Sequence, residues 1–151
     1  MKKIVLLSIT VLVLVCGFNS FAECVMLKGS EIRKDANTLS KYDFDRKYDR
    51  KAFDLQLKIT YIQYYGPMVY LINKEQRIAV LTTIENGVRY SRLNLDNQIE
   101  VGNIVTLENV YHDFMNMGSA MTFLYSAGIA EWKDSMMDAP YKNGFLCLFW
   151  K

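Results

Sequence analysis

Tyr64, Tyr65, Tyr70, Arg77, Arg89, Tyr90 and Arg92 crowd into one stretch of the chain, residues 64–92. A tyrosine ring stacks on bases, sugars or apolar side chains, and a guanidinium forks onto carboxylates and phosphates. Together they are the chemistry of a docking surface, whether for a protein partner or for an extended strand. The competing expectation is that these tyrosines only fill the rim of a small barrel. Covalent chemistry has far less to work with. The sequence holds one histidine, His112, and three cysteines. A zinc site needs several His, Cys or carboxylate ligands to converge, and no second histidine is present to join the first, so no metal and no cofactor is expected. No G-x-S-x-G elbow, P-loop or dinucleotide fingerprint occurs, so no nucleophile or phosphate cradle is marked out. Acid pairs such as Asp43/Asp45 and Glu108/Asp113 could in principle move protons, but nothing in the sequence places them in a cleft. His112, beside Asp113 at the end of an extended run, is expected to face solvent or cap an element. No catalytic residue is assigned.

The first 22 residues have a secretory layout. Lys2 and Lys3 form a positive start, residues 4–15 an apolar run, and Ser20-Phe21-Ala22 a small-residue cleavage site ahead of Glu23. The run is short for a membrane span, so an uncleaved anchor is the lesser alternative, as is lipidation at Cys16, which Val15 disfavours. Without the leader, no stable membrane insertion is expected and the protein is expected in the periplasm or secreted. The formal net charge of +2 is carried by Lys2 and Lys3, so the remaining chain is neutral. Non-specific nucleic-acid binding draws on a surplus of cations that such a chain lacks. Cys24 and Cys147 remain near the two ends of the exported chain. An even pair in an oxidising compartment is expected to close, and a bridge over so long a loop would stabilise the fold by up to ~4–5 kcal/mol.

The elements that must carry these residues follow from periodicity. One domain is expected over residues 23–151. Tyr42, Phe44 and Tyr48 suggest a short N-terminal helix with Asn37 or Thr38 as its N-cap. From residue 53 the period becomes two, with apolar residues at odd positions through 61, the pattern of a half-buried strand. Gly66-Pro67 marks a turn, residues 68–72 a second strand, 73–76 a polar turn and 77–84 a third strand. Asn86-Gly87 predicts a type I′ hairpin into an extended segment over 88–95. Residues 104–111 read as a strand, 116–119 as a turn at Gly118, and 121–130 as the returning strand. The aromatic tail, residues 140–151 with Tyr141, Phe145, Phe149 and Trp150, is expected to pack back over the barrel.

This succession, a helical lead-in, L-K-I-T-Y-I as first strand and V-G-N-I-V-T-L-E-N-V-Y leading to a late hairpin, resembles the five-stranded OB-fold. Over residues 37–131 the chain is similar to small exported bacterial OB-fold proteins of the tRNA-anti-like family. It departs from them at Tyr61-Ile62-Gln63, where a glycine is usual, and in the little room left for a helix between the third and fourth strands. The resemblance implies a mainly β protein, a five-stranded OB-fold-like barrel with a short N-terminal helix and an aromatic C-terminal tail. OB-folds bind extended ligands across the faces of their second and third strands. The reading that joins these expectations is a non-catalytic, exported binding module for an envelope protein, peptide or glycan. The alternative, single-stranded nucleic-acid binding, has the fold analogy and the Tyr/Arg set behind it, with the neutral charge against it.

Overall fold

The computed structural model describes residues 24–130 and 144–151. The expected leader, Cys16 and Tyr141 lie outside them. Among the described residues the protein is a mixed α/β, β-rich structure with one seven-stranded sheet and four helices. The strands are β1 (Met26–Lys28), β2 (Ala52–Lys58), β3 (Tyr61–Tyr65), β4 (Met68–Asn73), β5 (Ile78–Thr83), β6 (Ile104–Tyr111) and β7 (Leu146–Trp150). The helices are α1 (Gly29–Thr38), α2 (Lys41–Tyr48), α3 (Ile84–Leu93) and α4 (Phe114–Ser126). Strand order is β1-β2-β6-β7-β5-β4-β3, an open sheet of seven strands with helices interleaved and not the closed five-stranded barrel expected. No described helix is long and apolar enough to cross a membrane.

The period-two reading of the first strand holds. Phe53, Leu55, Leu57 and Ile59 are buried and the residues between them are not, as a strand with one face on the core requires. The strand then changes partner. The N–H of Ile59 bonds the Asn103 carbonyl beside β6, at 2.9 Å, whereas the N–H of Thr60 bonds Ile72 of β4, at 2.8 Å. The chain continues as β3, antiparallel to β4 across the Gly66-Pro67 turn. That turn needs the left-handed backbone of Gly66 (φ 55°). Asn73 fixes the next one. It is buried, its amide donates to the Lys58 carbonyl at 2.9 Å, and its oxygen accepts the Gln76 N–H at 2.8 Å.

Several expectations fail for identifiable reasons. Residues 88–95 are not a strand and Asn86-Gly87 is not a hairpin. The Thr83 hydroxyl accepts the Asn86 N–H at 3.1 Å, and Asn86 donates to Thr82 Oγ1 at 3.0 Å. The pair is therefore the first turn of a capped helix. Residues 116–130 are not a turn and strand either. Asp113 accepts the N–H groups of Met115 and Asn116, and Met117, Ala120, Met121 and Leu124 are buried, the i, i+3, i+4, i+7 stripe of a helix packed on a core. The N-terminal helix starts at the cap Ser40, not at Asn37 or Thr38, with Phe44 and Tyr48 buried and Tyr42 turned to solvent. A further strand and helix, β1 and α1, precede it. The aromatic tail does not cover the sheet. It enters the sheet as β7, parallel to β5 and antiparallel to β6, and with Leu146, Cys147 and Leu148 buried it is the continuous apolar run of a two-sided interior strand.

The Cys24–Cys147 bridge is not formed; both thiols are free. Cys24 is exposed ahead of the edge strand β1, its Sγ 3.7 Å from Asn109 Oδ1. Cys147 is buried against Met121, sulfur to sulfur 3.2 Å. Strands β2 and β6 lie between β1 and β7, a separation of three strand spacings, about 14 Å, against the ~7 Å limit between Cα atoms for a disulfide.

Candidate binding groove

The face of β4, β5 and β7 that turns away from Val69, Leu71 and Val80 carries Met68, Tyr70, Leu81, Cys147 and Phe149, brought into line by the registers Tyr70↔Leu81 and Leu81↔Phe149. Helix α4 lies along one side of this face. Phe123 wedges between two predicted site tyrosines, its ring stacked on Tyr70 at 4.9 Å and tilted on Tyr65 at 4.2 Å. Tyr70 is thereby buried rather than exposed, and burial, with Cys147 and Tyr65 nearby, pushes its hydroxyl pKa up to about 12. Tyr65 remains 60% exposed.

Between α4 and the sheet lies a cleft of about 620 Å³. Its helix wall presents Asn116, Ser119, Thr122 and Ser126, small polar groups at a spacing that keeps them on one helix face. Its floor is Tyr65, Tyr70, Met68, Leu81 and Phe149. The floor continues past Met68, Leu81 and Phe149 into a second cleft of about 470 Å³, bounded by Tyr111, Arg89, Glu85 and Lys151. Here the Lys151 ammonium sits 5.3 Å over the Tyr111 ring, and an Arg89 nitrogen donates to Asn86 Oδ1 at 2.7 Å. The result is one groove with an aromatic and aliphatic floor, a hydroxyl and amide wall, and two cations at one end. Such surfaces bind by stacking and apolar contact, with polar groups fixing register.

The structure divides the predicted residues. Tyr65, Tyr70 and Arg89 meet in this groove. Tyr90 stands next to it, edge-on to Trp150 at 5.5 Å. Tyr64 and Arg92 line a different depression with Ile84 and Val88 of α3, because Tyr64 and Tyr65 alternate across β3. Arg77 is remote, at the β4–β5 turn in the left-handed region (φ 53°), where its carbonyl and that of Gln76 accept hydrogen bonds from Arg33. Phe123, Leu81, Phe149, Tyr111 and Lys151 were not anticipated as site residues. For Phe123 the signal is the helical spacing 116, 119, 122/123, 126, which a turn and a strand over that segment conceal; Leu81, Phe149, Tyr111 and Lys151 lie on or beside strands and carry no such signal.

His112 is fully buried, contrary to its expected place at the surface. Its Nε2 lies 3.3 Å from Asp45 Oδ1, its ring is edge-on to Phe44 at 5.4 Å, and it bonds the Cys147 backbone. Of the acid pairs, Asp43 accepts the hydroxyl of the cap Ser40 at 2.7 Å, Asp113 caps α4 and Asp45 pairs with Lys41 at 2.5 Å. Among the described residues no three His, Cys, Asp or Glu side chains form a group that could hold a metal ion.

Comparisons with family models, with curated proteins and with solved structures each found no match.

Proposed function

We propose that this protein is a non-catalytic binding module of the bacterial cell envelope that holds an extended ligand, a segment of protein, a peptide or a glycan, across the groove between α4 and the outer face of β4, β5 and β7. The carrying observation is the groove itself: an aromatic floor on a rigid sheet, a polar helix wall, and Arg89 and Lys151 at its end. The one histidine is buried beneath α2 and does not line it.

An OB-like barrel is the architecture we propose beneath this site. Only Ile59 and Thr60 separate β2 from β3, and their hydrogen bonds pass the strand from the β6 side to the β4 side. Taken as one bent strand, with the edge strand β1 set apart, β2/β3 joins β6, β7, β5 and β4 in a ring where each strand has two neighbours. Helix α3 then lies between the third and fourth strands. In that frame β4 and β5 are the second and third strands, the face on which OB-folds hold extended ligands. The leader-like first 22 residues support export.

The test is affinity capture from the envelope fraction with the purified protein, alongside passage over single-stranded DNA resin at low salt. We expect flow-through on DNA, and an envelope ligand retained by the wild type and lost at least tenfold in the double variant Tyr65→Ala, Arg89→Ala. Salt-sensitive retention on DNA, with envelope capture unchanged in that variant, refutes the reading.

A further inference from the structure

Strand β6 is paired at both ends on one side and along only two residues on the other. β2 holds it from Ile104 to Leu107 and again at Val110 and Tyr111, with a bulge between them where Asn109 turns to φ 59°, while β7 reaches only Val110 and Tyr111. In an antiparallel pair, alternate residues turn their backbone groups toward opposite edges. Thr106 is turned away from β2, since its N–H donates to the Tyr90 hydroxyl at 3.3 Å, and Ile104, two residues earlier, shares that edge. A tyrosine oxygen thus stands where the carbonyl of a neighbouring strand would stand. An open strand edge is a template for another extended chain unless something covers it, and the described residues lay no strand along it.

The edge borders a slot of about 550 Å³ whose far wall is α3, with Tyr90, Leu93 and Asn94, and which has Trp150 at one end. Thr106, Glu108 and Asn109 line it from the β6 side. At the Trp150 end the slot opens into the groove, and Arg89 and Lys151 line both. Glu108 is the acid among the slot residues and Glu85 the acid at the groove side of the junction, where Arg89 and Lys151 stand.

We infer that this slot takes an extended peptide, added as a strand along the open edge of β6 and running parallel to it, with its C-terminal carboxylate held between Arg89 and Lys151. Strand addition draws its affinity from main-chain hydrogen bonds, which the alternating N–H and C=O groups of a peptide can supply and a sugar chain cannot. A guanidinium beside an ammonium suits a carboxylate. The inference rests on the binding-module reading and narrows its ligand to one class.

The test begins by panning the immobilised protein against a display library of random heptapeptides with free carboxyl ends; the recovered peptide, synthesised, is the probe. We expect its C-terminal amide to bind at least tenfold more weakly, and Arg89→Gln to bring the two forms to similar affinity. Hydrogen exchange should slow across residues 104–109 when the probe is bound. Tyr90→Phe, which frees the Thr106 N–H, should bind the probe no more weakly than the wild type. A probe that binds without protecting residues 104–109 and is lost in Tyr65→Ala lies in the groove and overturns strand addition while leaving the binding module standing. Recovery of no peptide overturns it as well, and envelope capture then decides whether the broader reading survives.

Discussion

His112 is the residue whose surroundings make the strongest demand. Burial pushes its pKa below the ordinary histidine value, and Asp45, Asp49 and a bond to the Cys147 backbone only partly oppose this. The fold therefore holds the neutral ring. The unfolded chain takes up a proton near pH 6.5 and the folded one only at lower pH, so between those values the unfolded state binds more protons. The stability contributed by His112 is complete above about pH 6.5 and is lost as pH falls below it, at no more than ~1.4 kcal/mol per pH unit. Thermal melts should show Tm declining from pH 7 to pH 5. The decline should steepen in Asp45→Asn, which removes the charge opposing the shift, and flatten in His112→Gln whatever its baseline. Asp35 and Asp113 belong to a lower window. Burial would raise both, but hydrogen bonds from Lys47 and Tyr48 at Asp35, and from Asn116 and Met115 at Asp113, outweigh it and hold them below the usual carboxylate range. Their contribution is present above about pH 4 and fades only as pH falls through their lowered values. The two described cysteines separate as sharply. Burial pushes the Cys147 thiol up to about 12, and the thiolate is the reactive form, so peptide-level labelling should modify Cys24 in the native protein and Cys147 only after denaturation. Native labelling of both, or a Cys24–Cys147 bridge in protein exported to an oxidising compartment, would contradict this arrangement.

At the scale of elements, the strands with a clean period of two were legible from the chain, and the two helices that wall the site were not. β4, β5 and β6 lie within a residue of where alternation and turn residues put them, and β2 starts within a residue of its expected place but ends at Lys58, with Tyr61 opening β3; one buried face forces that pattern. Helix α3 was hidden by Asn86-Gly87, a hairpin pair in isolation. Thr83 as cap and the bonds made by Asn86 draw the same residues into a helix, an instance of tertiary context overriding local propensity. Its apolar Ile84 and Val88 do not betray it, for both are exposed. Helix α4 was more readable than the reading made of it, since 117, 120, 121 and 124 are all apolar and Asp113 precedes them as a cap. The glycine at 118 drew attention to a turn that is absent. The groove inherited these errors: the tyrosines and Arg89 were visible, but the helix face opposite them could not be seen while it was taken for a strand. Two substitutions weigh the helices. Thr83→Ala should lower stability by about 1 kcal/mol, the usual worth of a lost N-cap, and Leu124→Ala, at a fully buried site against the sheet, by about 2–5 kcal/mol. Both are read from denaturant midpoints. A Leu124→Ala effect below about 1 kcal/mol would mean that α4 is not part of the core.

For the whole molecule, the consequential feature is that the second and the last strands in the sheet order are consecutive in the chain. An open sheet frays from its edges, because edge hydrogen bonds break without disturbing the centre. A ring closed at Ile59 and Thr60 would have no such end there, and breaking that seam would require the barrel to open. The seam of the proposed barrel would run through Ile59 and Thr60, whose backbone groups bond Asn103 and Gly102 on one side and Ile72 on the other. Tyr61 and Ile62 sit just beyond, facing Ile72 and Leu71 of β4. In a closed barrel the amides of Ile59, Thr60 and Gly102 exchange only through global unfolding, with the same free energy and denaturant dependence as the amide of Val80 in the interior strand β5. In an open sheet ending at β3, Thr60 exchanges through local fraying, with an opening free energy several kcal/mol below the global value and little denaturant dependence. Native-state hydrogen exchange across a denaturant series reads the difference amide by amide. The same measurement bears on the groove, because β4 and β5 make its floor and are adjacent to the seam. A barrel that opens only globally holds Tyr65, Leu81 and Phe149 in fixed register before any ligand arrives, and a surface organised in advance binds with less loss of conformational freedom.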